Sequence, residues 1–168
     1  MWTKGVLERG AGAVGLAVLV AALLLANRVP AADAAPLDRS HVDAFLTRIE
    51  GEWSGVAVVT PIGPRPYDIS FAPNAAGRLE GSANPGDATH TWTFYREGEG
   101  LSLRFFSTFR GNRRPIILVS TGEIDGALNF RALQPDLLQV RIGSVPQGLV
   151  IRVLHHDRLH VEIHLRRK

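Results

Sequence analysis

The spacing of apolar positions changes once along this chain. Val42, Phe45, Leu46 and Ile49 stand at i, i+3, i+4 and i+7, which is the stripe of one apolar helical face. After Gly51 the period shortens to two. Nine turn signals then cut the remainder into ten β-rich runs, near residues 52–60, 66–72, 77–84, 88–96, 101–109, 115–122, 126–133, 137–143, 148–155 and 158–166. The signals fall at 61–66, 74–77, 84–87, 97–100, 110–114, 125–126, 134–136, 144–147 and 156–157. Asp125-Gly126 is the sharpest of them, because a two-residue type I′ turn needs positive φ at both central positions.

Every connection between runs is short, which permits only neighbour-to-neighbour antiparallel pairing, since a parallel crossover needs a dozen or more residues. An open ten-strand meander would twist strongly and leave two exposed edges, and closure removes them. The pattern therefore predicts an all-β chain: an up-and-down antiparallel β-barrel of about ten strands with a short N-terminal helix. Ser40 is the expected cap of that helix, with Asp43 three residues later, and Gly51 its expected end. At about ten residues the helix cannot stand alone. Its apolar stripe should cover either an open end of the barrel or the outside of the sheet. Alternation places Leu101, Leu103, Phe105 and Phe109 on one face and Arg104, Phe106 and Thr108 on the other. It likewise sets Leu159, Val161, Ile163 and Leu165 against His160, Glu162, His164 and Arg166. The run at 115–119 is apolar on both faces, so some outer surface should be covered, by the helix or by a second copy in a homodimer.

The first 34 residues have the order of a secretory leader. Lys4 and Arg9 form a basic head, residues 10–26 carry no charge, and Ala32-Asp33-Ala34 offers a small-x-small site with cleavage before Ala35. This predicts export to a periplasmic or extracellular space. The rival reading is a retained membrane anchor at 10–26, a 17-residue run at the low edge of bilayer-spanning length. There is no cysteine, which excludes disulfides and lipid attachment through a thiol. Residues 35–168 then make one domain. Loss of Lys4, Arg9 and Arg28 against Glu8 and Asp33 lowers the net charge from +3 to +2. The basic residues are scattered along the strands, with Arg166-Arg167-Lys168 the one tight cluster, so nucleic acid is not an expected partner.

Two groups of residues carry candidate chemistry. His90, Trp92 and Phe94 share one face of the fourth run, with Thr91, Thr93 and Tyr95 behind them and Arg104 on the next strand. If the threonine face lines a cavity, Tyr95 and Arg104 can orient an acidic or carbonyl-bearing ligand. If the tryptophan face is inside, the cluster is aromatic core. The second group is His155, His156, His160 and His164, four of six histidines within ten residues. His160, Glu162 and His164 point the same way on a strand. They form an outward polar stripe, or a metal site if two imidazoles and a carboxylate converge, or a haem ligand if that face turns inward. An enzyme has little to rest on: no nucleophile elbow, phosphate-binding loop or paired metal motif occurs, and Asp68, Glu80 and Glu162 lie on separate strands.

A short helix, then Gly51-Glu52-Trp53-Ser54-Gly55 opening the first strand of a meander barrel, resembles the calycins, the group of lipocalins, fatty-acid-binding proteins and nitrobindins. The resemblance covers residues 40–168 and implies that Trp53 lies across the closed end of the barrel. It also implies a small hydrophobic ligand in the barrel, with Trp53, His90, Tyr95 and Arg104 as the ligand-binding candidates. Ten strands fit the fatty-acid-binding and nitrobindin branches better than the eight-stranded lipocalins. The last run, however, lacks the Arg-x-Tyr pair with which fatty-acid-binding proteins hold a carboxylate. Likeness to the nitrobindins implies haem bound through His160 or, failing that, His164, although Ala57 stands where their next glycine is expected.

Overall fold

The computed structural model describes residues 37–133 and 138–168. The predicted leader and the predicted turn at 134–136 lie outside them. Helix α1 (Arg39–Ile49) precedes strands β1 (Gly51–Val59), β2 (Arg65–Pro66), β3 (Ile69–Pro73), β4 (Leu79–Ala83), β5 (His90–Glu97), β6 (Gly100–Ser107), β7 (Ile116–Ile124), β8 (Ala127–Ala132), β9 (Leu138–Val145), β10 (Gly148–His155) and β11 (Arg158–Arg167). These make ten staves, because β2 and β3 lie end to end along one edge of β1. Ala57 faces Arg65 and Val56 faces Pro66, while Trp53 faces Ile69 and Gly51 faces Phe71. Between the two pieces the Tyr67 N–H donates to Gly55 O at 2.9 Å. From β3 to β11 each strand pairs with its sequence neighbour, and β11 closes on β1 with Gly55 opposite Leu165. The fold is thus the closed antiparallel meander barrel that the turn rhythm predicts. Asp125 and Gly126 have φ of 52° and 73°, as a type I′ hairpin requires.

The cap of α1 is Asp38, not Ser40. The Asp38 carboxylate accepts from the His41 N–H at 3.0 Å and from Ser40 Oγ at 2.7 Å, so Ser40 sits inside the first turn. These bonds hold the Asp38 carboxyl at a pKa of about 2. Val42, Phe45 and Ile49 are buried, and the Phe45 ring meets Phe94 at 5.8 Å and Phe130 at 6.2 Å. Polar straps hold the helix down. Asp43 pairs with Arg96 at the end of β5, Arg48 donates to Ser144 Oγ near the end of β9, and Trp53 Nε1 donates to Ile49 O at 2.8 Å. Arg167 lies 4.8 Å over the Trp53 indole and donates to Arg48 O and Glu50 O, satisfying carbonyls at the helix end. The start of β1 and the ends of β5, β9 and β11 all belong to one end of a meander. The helix therefore plugs that end, which decides between the two coverings that the sequence leaves open.

The inward phase follows from alternation along most strands: Trp92, Phe94, Leu101, Leu103, Phe130, Ile163 and Leu165 are all buried. Two expectations need correction. Phe109 is not on the strand with Leu103 and Phe105, because β6 ends at Ser107 and Phe109 opens a single 3-10 turn, Phe109–Gly111. Leu159 leaves the core face. Val153 pairs with Val161 but Leu154 pairs with Leu159, so His160 is the extra residue of a β-bulge and Leu159 is 44% exposed.

Candidate functional site

The end of the barrel away from α1 holds a hollow of about 230 Å³. The chain leaves this space through small side chains at buried positions, Ala57 on β1 and Ala88 before β5, where Phe45, Phe94 and Phe130 fill the other end. Trp92, Phe105, Ile116, Val153, Val161 and Ile163 supply apolar wall. Two loops at this end are held by their own hydrogen bonds. Thr60 Oγ1 donates to Gly63 O at 2.5 Å and accepts from the Ile62 N–H at 3.2 Å, bringing Ile62 to the rim. Thr108 and Thr89 tie the β4–β5 loop to the end of β6: the Thr108 N–H donates to Thr89 O at 3.0 Å and the Thr89 N–H to Thr108 Oγ1 at 2.8 Å.

A directed relay runs along the cavity wall. Trp92 Nε1 lies 2.9 Å from Tyr67 Oη, which lies 3.1 Å from His90 Nδ1. An indole nitrogen can only donate, so Tyr67 accepts from it, and the phenolic hydrogen is left for His90. Tyr67 is buried and no other acceptor among the described residues takes its phenolic hydrogen, so the arrangement that leaves no buried group unpaired has Tyr67 donating to His90 Nδ1 and the proton of the neutral ring on Nε2. Burial pushes the His90 pKa down to about 4 and pushes that of Tyr67 well above its ordinary value. Both groups are neutral in the physiological range. His90 therefore lines the cavity as an uncharged ring whose Nε2–H has no protein partner among the described residues.

Arg65 adds a cation to the same wall. It lines the hollow beside Tyr67, and its Nε is buried with no hydrogen-bond partner among the described residues. Its Nη1 packs so closely over Gly86 that a Cβ there would lie 2.7 Å away. Among the described residues no aspartate or glutamate lines the hollow. His160 also lines it, turned there by the bulge.

The structure divides the candidate residues between two faces and two ends. His90 and His160 line the cavity, at its wall and rim. Trp53 is buried at the opposite, plugged end, and Ile49 O takes its indole N–H. Tyr95 is half-buried beneath the Arg78 guanidinium at 5.3 Å, and Arg104 is exposed opposite Thr93 and Ile117. Neither lines the cavity, since it is the tryptophan face of β5 that points inward. His164 is exposed and bonds Glu162 at 2.5 Å, and Arg152 donates to the same carboxylate at 2.7 Å. His164 and then Arg152 lower the pKa of that carboxyl. Among the described residues no three His, Asp or Glu side chains gather as metal ligands. Sequence reasoning missed Arg65 and Tyr67, which fall in and just after a proline-rich turn signal. A large aromatic directly after that turn was the one available clue.

No protein-family model matches this chain, and no curated protein matches it.

Proposed function

We propose that this chain is an exported calycin-like carrier that binds a small hydrophobic molecule in the unplugged half of its barrel. The observation that carries the reading is the apolar 230 Å³ hollow inside a closed barrel whose other half is filled by side chains and by α1. Drug-sized ligands use about 300–1,000 Å³, so the ligand is smaller than these. The calycin resemblance gains support from Trp53, buried under Arg167 at the plugged end. Gly51 and Gly55 of the same motif also have physical reasons: Gly51 has φ of 121°, and a Cβ on Gly55 would meet His164 O at 1.8 Å.

Haem does not fit this site. The hollow of about 230 Å³ is smaller than the pockets of drug-sized ligands, and of the two histidines named for haem only His160 reaches it, His164 being turned outward onto Glu162.

Native mass spectrometry of protein recovered from its host tests the binding reading: a bound mass of a few hundred daltons or less is expected. A ligand-free spectrum, together with no uptake of small apolar probes, overturns it. N-terminal sequencing of the same material tests export, with Ala35 as the expected first residue.

A further inference from the structure

We infer that the ligand carries an anionic, acceptor-only head group, most simply a carboxylate, held at the cavity by Arg65 and His90 with its apolar body against Trp92, Phe105 and Ile163. This rests on the binding reading above and adds the chemistry of the ligand's polar end. The argument is one of donors and acceptors. A guanidinium has five N–H donors and no acceptor. The Arg65 side chain lines the hollow, and none of the ion pairs among the described residues engages it, so its cation meets no counter-charge there. The relay from Trp92 through Tyr67 makes His90 a second donor, because its acceptor nitrogen is already taken. Thr60 spends its hydroxyl on its own loop. Ser107, which lines the same space, can serve as a donor too.

The hollow is thus offered a permanent cation and several donors, and among the described residues no aspartate or glutamate lines it to answer them. A primary amine, itself donor-rich and cationic, would face Arg65 with like charge. An alcohol satisfies one donor and brings no charge. A carboxylate accepts through both oxygens and matches the fork of a guanidinium. Arg65, Tyr67 and His90 also adjoin one another, since Arg65 and Tyr67 are two residues apart and Tyr67 bonds His90. The head group thus has one place to sit, and the apolar wall begins beside it.

The test is a titration of the full chain with octanoate, 1-octanol and octylamine, which share an eight-carbon skeleton of a size suited to the hollow. The readout is calorimetry, with tryptophan fluorescence as a second signal because Trp92 lines the site. Octanoate should bind at least about tenfold more tightly than 1-octanol, and octylamine more weakly than either. Arg65→Met should bring octanoate down to the level at which the same variant binds 1-octanol. Arg65→Lys keeps the charge but loses the guanidinium fork, and should fall between. Circular dichroism and cooperative urea unfolding show that each variant is folded. Equal binding of octanoate and 1-octanol by the wild type, or a preference that survives Arg65→Met, overturns the head-group assignment while the cavity still binds. No binding of any of the three overturns the binding reading itself.

Discussion

Replacing Tyr67 by Phe removes one oxygen from the middle of the cavity-wall relay. Trp92 is 1% exposed, so its Nε1–H loses its acceptor at a buried position. An unsatisfied buried donor costs about 1–3 kcal/mol. His90 Nδ1 also loses its donor, but the ring lines the cavity and can be solvated there, so its share is smaller. A total near 2 kcal/mol is expected, and the Trp92 donor should dominate it. In a unit of this size that corresponds to a fall in Tm of roughly 6–12 °C. The assay is urea unfolding of wild type, Tyr67→Phe, Trp92→Phe and the double variant. With the indole N–H already absent, the Tyr67→Phe step should cost about 1 kcal/mol less, and this coupling is the signature of the bond. Nitrogen-15 NMR of the histidine rings gives an independent check: His90 should be protonated on Nε2 in the wild type and lose that preference in Tyr67→Phe. A cost below about 0.5 kcal/mol, equal costs in both backgrounds, or a His90 ring protonated on Nδ1 would refute the relay and its direction.

Other consequences concern protonation, the plugged end and the barrel seam. His90 has a folded pKa of about 4, below its unfolded value of about 6.5, so the unfolded chain binds the extra proton first. Its stabilising contribution is complete above about pH 6.5 and lost as pH falls towards 4, and the loss of stability between pH 7 and 5 should be smaller in His90→Phe. Measuring above pH 5 keeps clear of the lowered carboxyls of Asp38, Asp68 and Glu162, whose contributions disappear at lower pH. Arg167→Met should cost about 1–2 kcal/mol and loosen α1, seen as a changed near-ultraviolet signal from Trp53, because it removes the cation over the indole and two bonds to carbonyls near the helix end. At the seam, Gly55→Ala drives a Cβ into the backbone of β11 and should prevent closure, giving a chain that does not unfold cooperatively. Gly98→Ala meets nothing within 4 Å and pays only for its left-handed backbone, φ of 60°, about 1–2 kcal/mol in urea.

The barrel was legible in this sequence and the hollow was not, for one physical reason. Turns are encoded locally, by residues that tolerate particular dihedrals, so Asp125-Gly126 and His156-Asp157 mark hairpins that the backbone forms with positive φ at both positions. The core face is also local wherever alternation is unbroken, as along Leu101, Leu103 and Phe105. A single extra residue reverses that phase. The bulge in β11 sends Leu159 outward and His160 to the cavity, and it is visible only when β10 lies alongside to leave His160 unpaired. The cap of α1 was ambiguous in the same way, since Asp38 and Ser40 both carry suitable oxygens and their difference lies in where the helix begins. The cavity wall is further still from local rules. Arg65 and Tyr67 come from a proline-broken stave, His90 and Trp92 from β5, and His160 from the last strand. Only closure of β11 on β1 brings them around one space, and only the indole at one end of the relay fixes which way its protons point. The functional chemistry of this barrel is thus carried by two departures from regular pairing, a broken stave and a bulge, set into a frame that the alternation of the rest makes stable.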